Sequence, residues 1–206
     1  MKWKEYFSRP ELKLEFFTTV ILLAAVLFSL THFLNFVEAR AGTSLPDPIL
    51  NLYNPVNLTW LIFGLIYISL LLAVIILVRQ PVKLMFALQV YILTVVFRIA
   101  SMYVMPLNPP VTMIPLNDPF VQFFATGHLL TKDLFFSGHT ATLFILFLAA
   151  EKKILKTIFL ICTIAVGISV LLQHVHYTID VLAAPFFTYT AYRIIIQLKK
   201  RLTLKL

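Results

Sequence analysis

Two short polar stretches hold the groups in this chain best suited to chemistry. They are Asp133-Leu134-Phe135-Phe136-Ser137-Gly138-His139-Thr140 and His176-Tyr177-Thr178-Ile179-Asp180. Between them they set two histidines, two carboxylates and several hydroxyls at the edges of apolar runs. An ionisable group in such a place is expensive and marks a functional site by default. His176 and Asp180 are four residues apart and share a face if the segment is helical. A carboxylate on one imidazole nitrogen sets the tautomer and raises the nucleophilicity of the other. His139 then serves to protonate a leaving alkoxide. Two histidines with separate roles suit phosphoryl transfer, one becoming phosphorylated and the other acting as acid and then as base.

Other readings of the same residues stay open. A His-x-x-x-Asp pair also occurs as a plain structural hydrogen bond. His174, with His176, His139 and Asp180, makes a candidate zinc set, since imidazole and carboxylate are the usual ligands. Arg98 lies inside an apolar run, roughly 21 Å from the start of that run at about 1.5 Å per residue. A guanidinium at that depth needs either a substrate phosphate or a carboxylate such as Asp133. His32, also inside a run, is expected to hydrogen-bond within the bundle, and His128 sits in a loop with no role to read.

The elements that must position these groups are membrane helices. The 206 residues are 60% hydrophobic and 13% charged, against about 45–50% and about 25% in a soluble domain. The mean hydropathy is +0.92. Nineteen Phe and eight Tyr suit a lipid-facing bundle with interfacial aromatics. The net charge of +8 would suggest nucleic acid in a soluble protein, but here the Lys and Arg fall between apolar runs. No nucleic-acid partner is expected. The single Cys162 excludes an internal disulfide, and neither internal repeats nor low-complexity tracts occur.

The apolar runs are Phe16–Val37, Leu58–Val78, Leu84–Met105, Phe136–Ala150, Ile154–Leu172 and Thr178–Leu198. The first ends near Ala39-Arg40-Ala41, which imitates a cleavage site, but it far exceeds the roughly 7–15 residues of a signal core. The fourth is short against the about 20 residues of a spanning helix. It reaches full length if its first turn, Ser137 to Thr140, lies in a polar pocket rather than in lipid. Gln89, Arg98 and Arg193 fall within runs, Arg193 near enough to an end to snorkel.

With the N-terminus inside, thirteen basic residues fall on inner segments, from Lys2 to Lys205, and only Arg40 and Lys132 on outer ones. The positive-inside rule then puts both termini in the cytoplasm, in agreement with six spans. The expected fold is an all-α, six-helix membrane protein. Residues 1–15 form an interfacial segment, 16–198 the catalytic membrane domain and 199–206 a basic tail. The outer connections, Glu38–Asn57 and Pro106–Phe135, are long, Pro-rich and apolar at Met113, Ile114, Phe120, Phe123 and Phe124. Such loops are usually functional, and these are expected to fold down as a lid. Both polar stretches then begin helices on the outer side, where free N–H groups and partial positive charge favour a phosphate. Gly138 admits close backbone approach, while Ser137 and Thr140 add donors.

At these residues the chain resembles the sphingomyelin synthase family, a branch of the type-2 phosphatidic acid phosphatase superfamily. Asp133-x-x-Phe136-Ser137-Gly138-His139-Thr140 and His176-Tyr177-Thr178-Ile179-Asp180-Val181 are similar to its two catalytic motifs. Leu45-Pro46-Asp47 resembles its first-loop element, and Arg98-x-x-Ser101-Met102-Tyr103-Val104 more loosely its third-span element. The sequence departs from the family at Lys132, Met105 and Asn108. The resemblance implies a triad of His139, His176 and Asp180 on the lumenal or outer side of the membrane. It implies transfer of a phosphocholine or phosphoethanolamine headgroup from a glycerophospholipid to ceramide or a similar lipid alcohol. Arg98, Asp133, Ser137, Gly138, Thr140 and Tyr177 are candidates to bind substrate, and Tyr103 or Tyr177 to hold a quaternary ammonium. No metal and no cofactor is expected, because helix N-termini, Arg98 and imidazoles supply the positive field. The hydrolases of the superfamily carry an Arg six residues before the last-motif His, where this chain has Val170. Lipid phosphatase or phospholipase C-like hydrolysis, and a non-catalytic lipid-binding or transport role, are the alternatives.

Overall fold

A computed structural model describes residues 1–116 and 129–203. Among them are seven α-helices: α1 (Trp3–Phe7), α2 (Pro10–Ala39), α3 (Thr59–Leu77), α4 (Pro81–Val104), α5 (Gly138–Ala149), α6 (Lys153–Leu172) and α7 (Thr178–Thr203). Each long helix grows from one apolar run, and its start falls where the chain first offers a suitable end. Pro10 and Pro81 stand in the first turns of α2 and α4, where a missing N–H costs nothing. Five helices, α2, α3, α4, α6 and α7, are long and apolar enough to cross a membrane, and the chain is an integral multi-pass membrane protein.

The fourth run differs from the expectation of a full span. Its helix has 12 residues, about 18 Å at 1.5 Å per residue, well short of a hydrocarbon core of about 30 Å. Helix α5 instead packs centrally against α3, α4, α6 and α7. The chain reaches it through an irregular segment in which Leu134, Phe135 and Phe136 are buried. Buried non-helical backbone needs polar partners from the protein, and two of its groups have them. Ser137 N donates to Asp180 O at 3.1 Å, and Phe136 O accepts from Arg98 Nε at 3.0 Å.

At the end of the bundle where α5 and α7 begin, the connection after α2 and the connection after α4 interlock. Thr43 and Leu107 form an isolated parallel bridge, with Thr43 N donating to Pro106 O at 2.8 Å and Asn108 N to Thr43 O at 3.0 Å. Gly42 permits this, since a Cβ there would lie 2.6 Å from the backbone carbon of Leu107. Glu38 accepts from Thr131 N at 2.9 Å and Lys132 N at 3.0 Å, tying the end of α2 to the segment before α5. Phe120, Phe123, Phe124 and His128, assigned above to a lid or loop, lie outside the described residues. At the opposite end Glu15 gathers Tyr6 Oη, Gln89 Nε2 and Lys199 Nζ at 3.0, 2.9 and 2.6 Å, joining α1, α2, α4 and α7. His32 is exposed on α2 and stacks edge-on against Phe28. No described group hydrogen-bonds it, because its face of α2 looks away from the bundle.

Candidate active site

Helices α5 and α7 begin side by side, and their first turns bring the two polar stretches together. The rings of His139 and His176 lie 5.9 Å apart between centroids, in an edge-to-face arrangement. A phosphoryl group with hydrogen-bond reach of about 2.6–3.2 Å on each side fits such a separation. His176 is 1% exposed and Asp180 0%, while His139 is half-buried.

His176 Nδ1 faces Asp180 Oδ2 at 3.4 Å. A carboxylate only accepts, so this contact assigns the proton to Nδ1 and leaves the Nε2 lone pair available. The same Oδ2 accepts from Tyr177 N at 3.0 Å, the reciprocal half of a helix capping box. Asp180 is therefore fixed by the start of α7 as well as by the imidazole. Its Oδ1 is buried and, among the described residues, has no hydrogen-bond partner.

The two helix starts differ electrostatically. At α7 the Asp47 carboxylate, from the connection after α2, accepts from Thr178 N at 2.6 Å and Thr178 Oγ1 at 3.1 Å. Burial pushes the Asp47 carboxyl up, but bonds from Thr178, Leu50 and Ile49 together outweigh it and hold it below its ordinary value. Two carboxylates thus occupy the α7 N-terminus, and the phosphate seat expected there is filled by the protein itself. At α5 the cap is neutral: Ser137 Oγ accepts from Thr140 N at 3.4 Å. Beside it lies Arg98, 7% exposed, with Nη2 2.5 Å from Asp133 Oδ1. The positive field of the site is concentrated at α5.

Thr140 is buried with its Oγ1 3.2 Å from Ser137 Oγ. Gly138 lies directly under the Arg98 guanidinium. Arg98 and Asp133 form an ion pair, so the two readings of Arg98 meet in one geometry: the carboxylate takes one edge of the guanidinium, and Nη1 lies over the start of α5. Tyr177 is 2% exposed and its hydroxyl is engaged, donating to Asn108 O at 3.0 Å and accepting from Leu45 N at 3.2 Å. It clasps together the connections after α2 and after α4. Tyr103 is 65% exposed at the end of α4.

His174 belongs to a separate knot. Its Nδ1 lies 2.5 Å from Thr112 Oγ1 and its ring packs on Tyr53. Among the described residues no three His, Cys, Asp or Glu side chains are arranged to hold a metal ion. The adjoining Gln173, fully buried, donates to Thr59 Oγ1 at 3.0 Å and Ile114 O at 3.2 Å and accepts from Leu58 N at 2.9 Å. Neither Asp47 as a helix cap nor Gln173 as a knot was evident from the sequence. The signals were Leu45-Pro46-Asp47, singled out above without a contact partner, and a polar pair, Gln173-His174, ending an otherwise apolar run.

Residues 132–197 match the family model described as PAP2 superfamily C-terminal. The matched stretch runs from the segment before α5 to the far part of α7 and contains both polar motifs. No curated protein and no solved structure matches the chain.

Proposed function

We propose that the protein is a membrane lipid phosphotransferase working through a phosphohistidine. The observation that carries this is the facing pair His139 and His176, 5.9 Å apart, with Asp180 behind only one of them. That asymmetry supports different roles for the two rings. The match of residues 132–197 to the PAP2 superfamily C-terminal model supports a lipid phosphate substrate.

In the first step His176 Nε2 attacks the phosphorus of a glycerophospholipid diester. A P–N bond forms, the P–O bond to diacylglycerol breaks, and protonated His139 gives its proton to the departing oxygen. In the second step the hydroxyl of ceramide or a similar lipid alcohol gives its proton to His139 and attacks phosphorus. The P–N bond breaks and both imidazoles return to their starting state. Negative charge growing on the phosphoryl oxygens is met by the α5 N-terminus and Arg98, groups already oriented before the reaction begins. Asp133 holds Arg98 in place for that task.

The basic residues between helices support an arrangement with both termini in the cytoplasm and this site on the lumenal or outer side. In it α5, with its buried approach segment, completes a sixth crossing. Residues 1–15 then lie at the inner interface, 16–198 form the catalytic domain and 199–206 a basic tail.

The test is purified protein with headgroup-labelled phosphatidylcholine or phosphatidylethanolamine, with and without ceramide. Label on ceramide is the expected result. Free phosphorylated headgroup in both arms replaces transfer with hydrolysis, and no turnover of any donor overturns the catalytic reading.

A further inference from the structure

The end of the bundle opposite the histidine pair carries a second feature that the reaction does not use. Between α5, α6 and α7 runs a groove with about 500 Å³ of open space. Its walls include Phe147, Tyr189 and Tyr192, with Lys156, Arg193 and Lys200 among them and no carboxylate. We infer that this groove binds the headgroup of an anionic glycerophospholipid from the leaflet facing the basic end of the bundle.

Two of the groove's cations are held over aromatic rings. Arg193 is 15 positions along α7 from Thr178, about 22 Å at 1.5 Å per residue, still within a hydrocarbon core of about 30 Å. It does not reach toward the near end of its helix as a snorkelling side chain does. Its Nη1 donates to Tyr189 Oη at 3.3 Å, and its guanidinium lies 6.0 Å over the same ring, one turn back toward the middle of the span. Lys156 likewise rests over Phe147 at 5.1 Å. Neither cation has a carboxylate within ion-pair distance among the described residues. Both are exposed, and such ring contacts are worth only about 0.5–1 kcal/mol. A phosphodiester placed between them makes charge-assisted hydrogen bonds to both, and the aromatic walls accept the glycerol and upper acyl carbons.

The test is binding of fluorescent phosphatidylglycerol to the purified full chain, competed with unlabelled phosphatidylglycerol, phosphatidylcholine or inorganic phosphate. Expected are displacement by phosphatidylglycerol but not by the other two, and roughly tenfold or more weaker binding in the double variant K156Q/R193Q. The swap K156R/R193K should restore binding, which separates loss of charge from loss of fold. Equal competition by phosphatidylcholine, displacement by millimolar inorganic phosphate, or unchanged binding in K156Q/R193Q would each overturn the inference.

Discussion

Arg98 and Gly138 share one space: a Cβ on Gly138 would stand 2.6 Å from Nη1 and 2.7 Å from Cζ of the guanidinium. Arg98 cannot simply swing away, because Nε is bound to Phe136 O at 3.0 Å and Nη2 to Asp133 Oδ1 at 2.5 Å. The glycine therefore serves the cation above it, letting a buried charge lie flat on a helix N-terminus.

Replacing Gly138 by Ala should lift the guanidinium off α5 and break at least one of its two anchors. Overpacking of this kind costs about 1–3 kcal/mol of stability, so the variant is expected to fold. Its kcat/KM for the donor lipid should fall at least roughly tenfold, since the loss is in charge facing the phosphoryl group. Kinetics beside a thermal melt decide it: a lower melting point with unchanged kcat/KM would make Gly138 a packing residue only.

The roles of the two rings separate by leaving group. His139→Ala should slow transfer from a natural diacyl donor by on the order of 10²–10⁴. With a nitrophenyl phosphodiester, whose departing oxygen needs no proton, the loss should shrink to a few fold. His176→Ala should be inactive on both. If the His139 variant loses equally on both donors, the acid assignment fails.

Asp180→Asn keeps an oxygen for Tyr177 N–H, so the α7 cap should survive. It removes the charge that assigns the His176 tautomer and stabilises the imidazolium. A loss on the order of 10³–10⁴ in kcat with little change in helix content is expected. Circular dichroism and single-turnover kinetics measure both; a loss of tenfold or less would demote Asp180 to a cap.

Length and apolar content made the long helices legible: Leu58–Val78 became Thr59–Leu77, and Ile154–Leu172 became Lys153–Leu172. The shortness of α5 was legible as a misfit, but its cause, a buried loop feeding a central helix, needs the neighbours. The electrostatic difference between the two helix starts could not be read, because it depends on Asp47, which reaches Thr178 across 131 residues. Loop contacts at that separation follow no periodicity. For Arg193 the short path to the helix end suggested snorkelling, and a tyrosine one turn back held the side chain instead.

His174 is the place where pH should act on the knot beside α7. Burial lowers its pKa below the ordinary histidine value, opposed by the nearby Asp47 charge. Tyr53 and Thr112 complete its surroundings. A histidine protonated more readily in the unfolded chain contributes stability that is full above about pH 6.5 and is lost as pH falls through the folded value. Its backbone has φ 55°, in the left-handed region, which asparagine tolerates well. His174→Asn should therefore keep the turn while removing the titration. Thermal melts of the detergent-solubilised protein at pH 5, 6 and 7.5 should show the parent losing stability on acidification, by at most about 1.4 kcal/mol per pH unit from this group. The variant should start lower at pH 7.5, for want of the packing on Tyr53, and follow a flatter course. Parallel courses for the two proteins would remove His174 as the source.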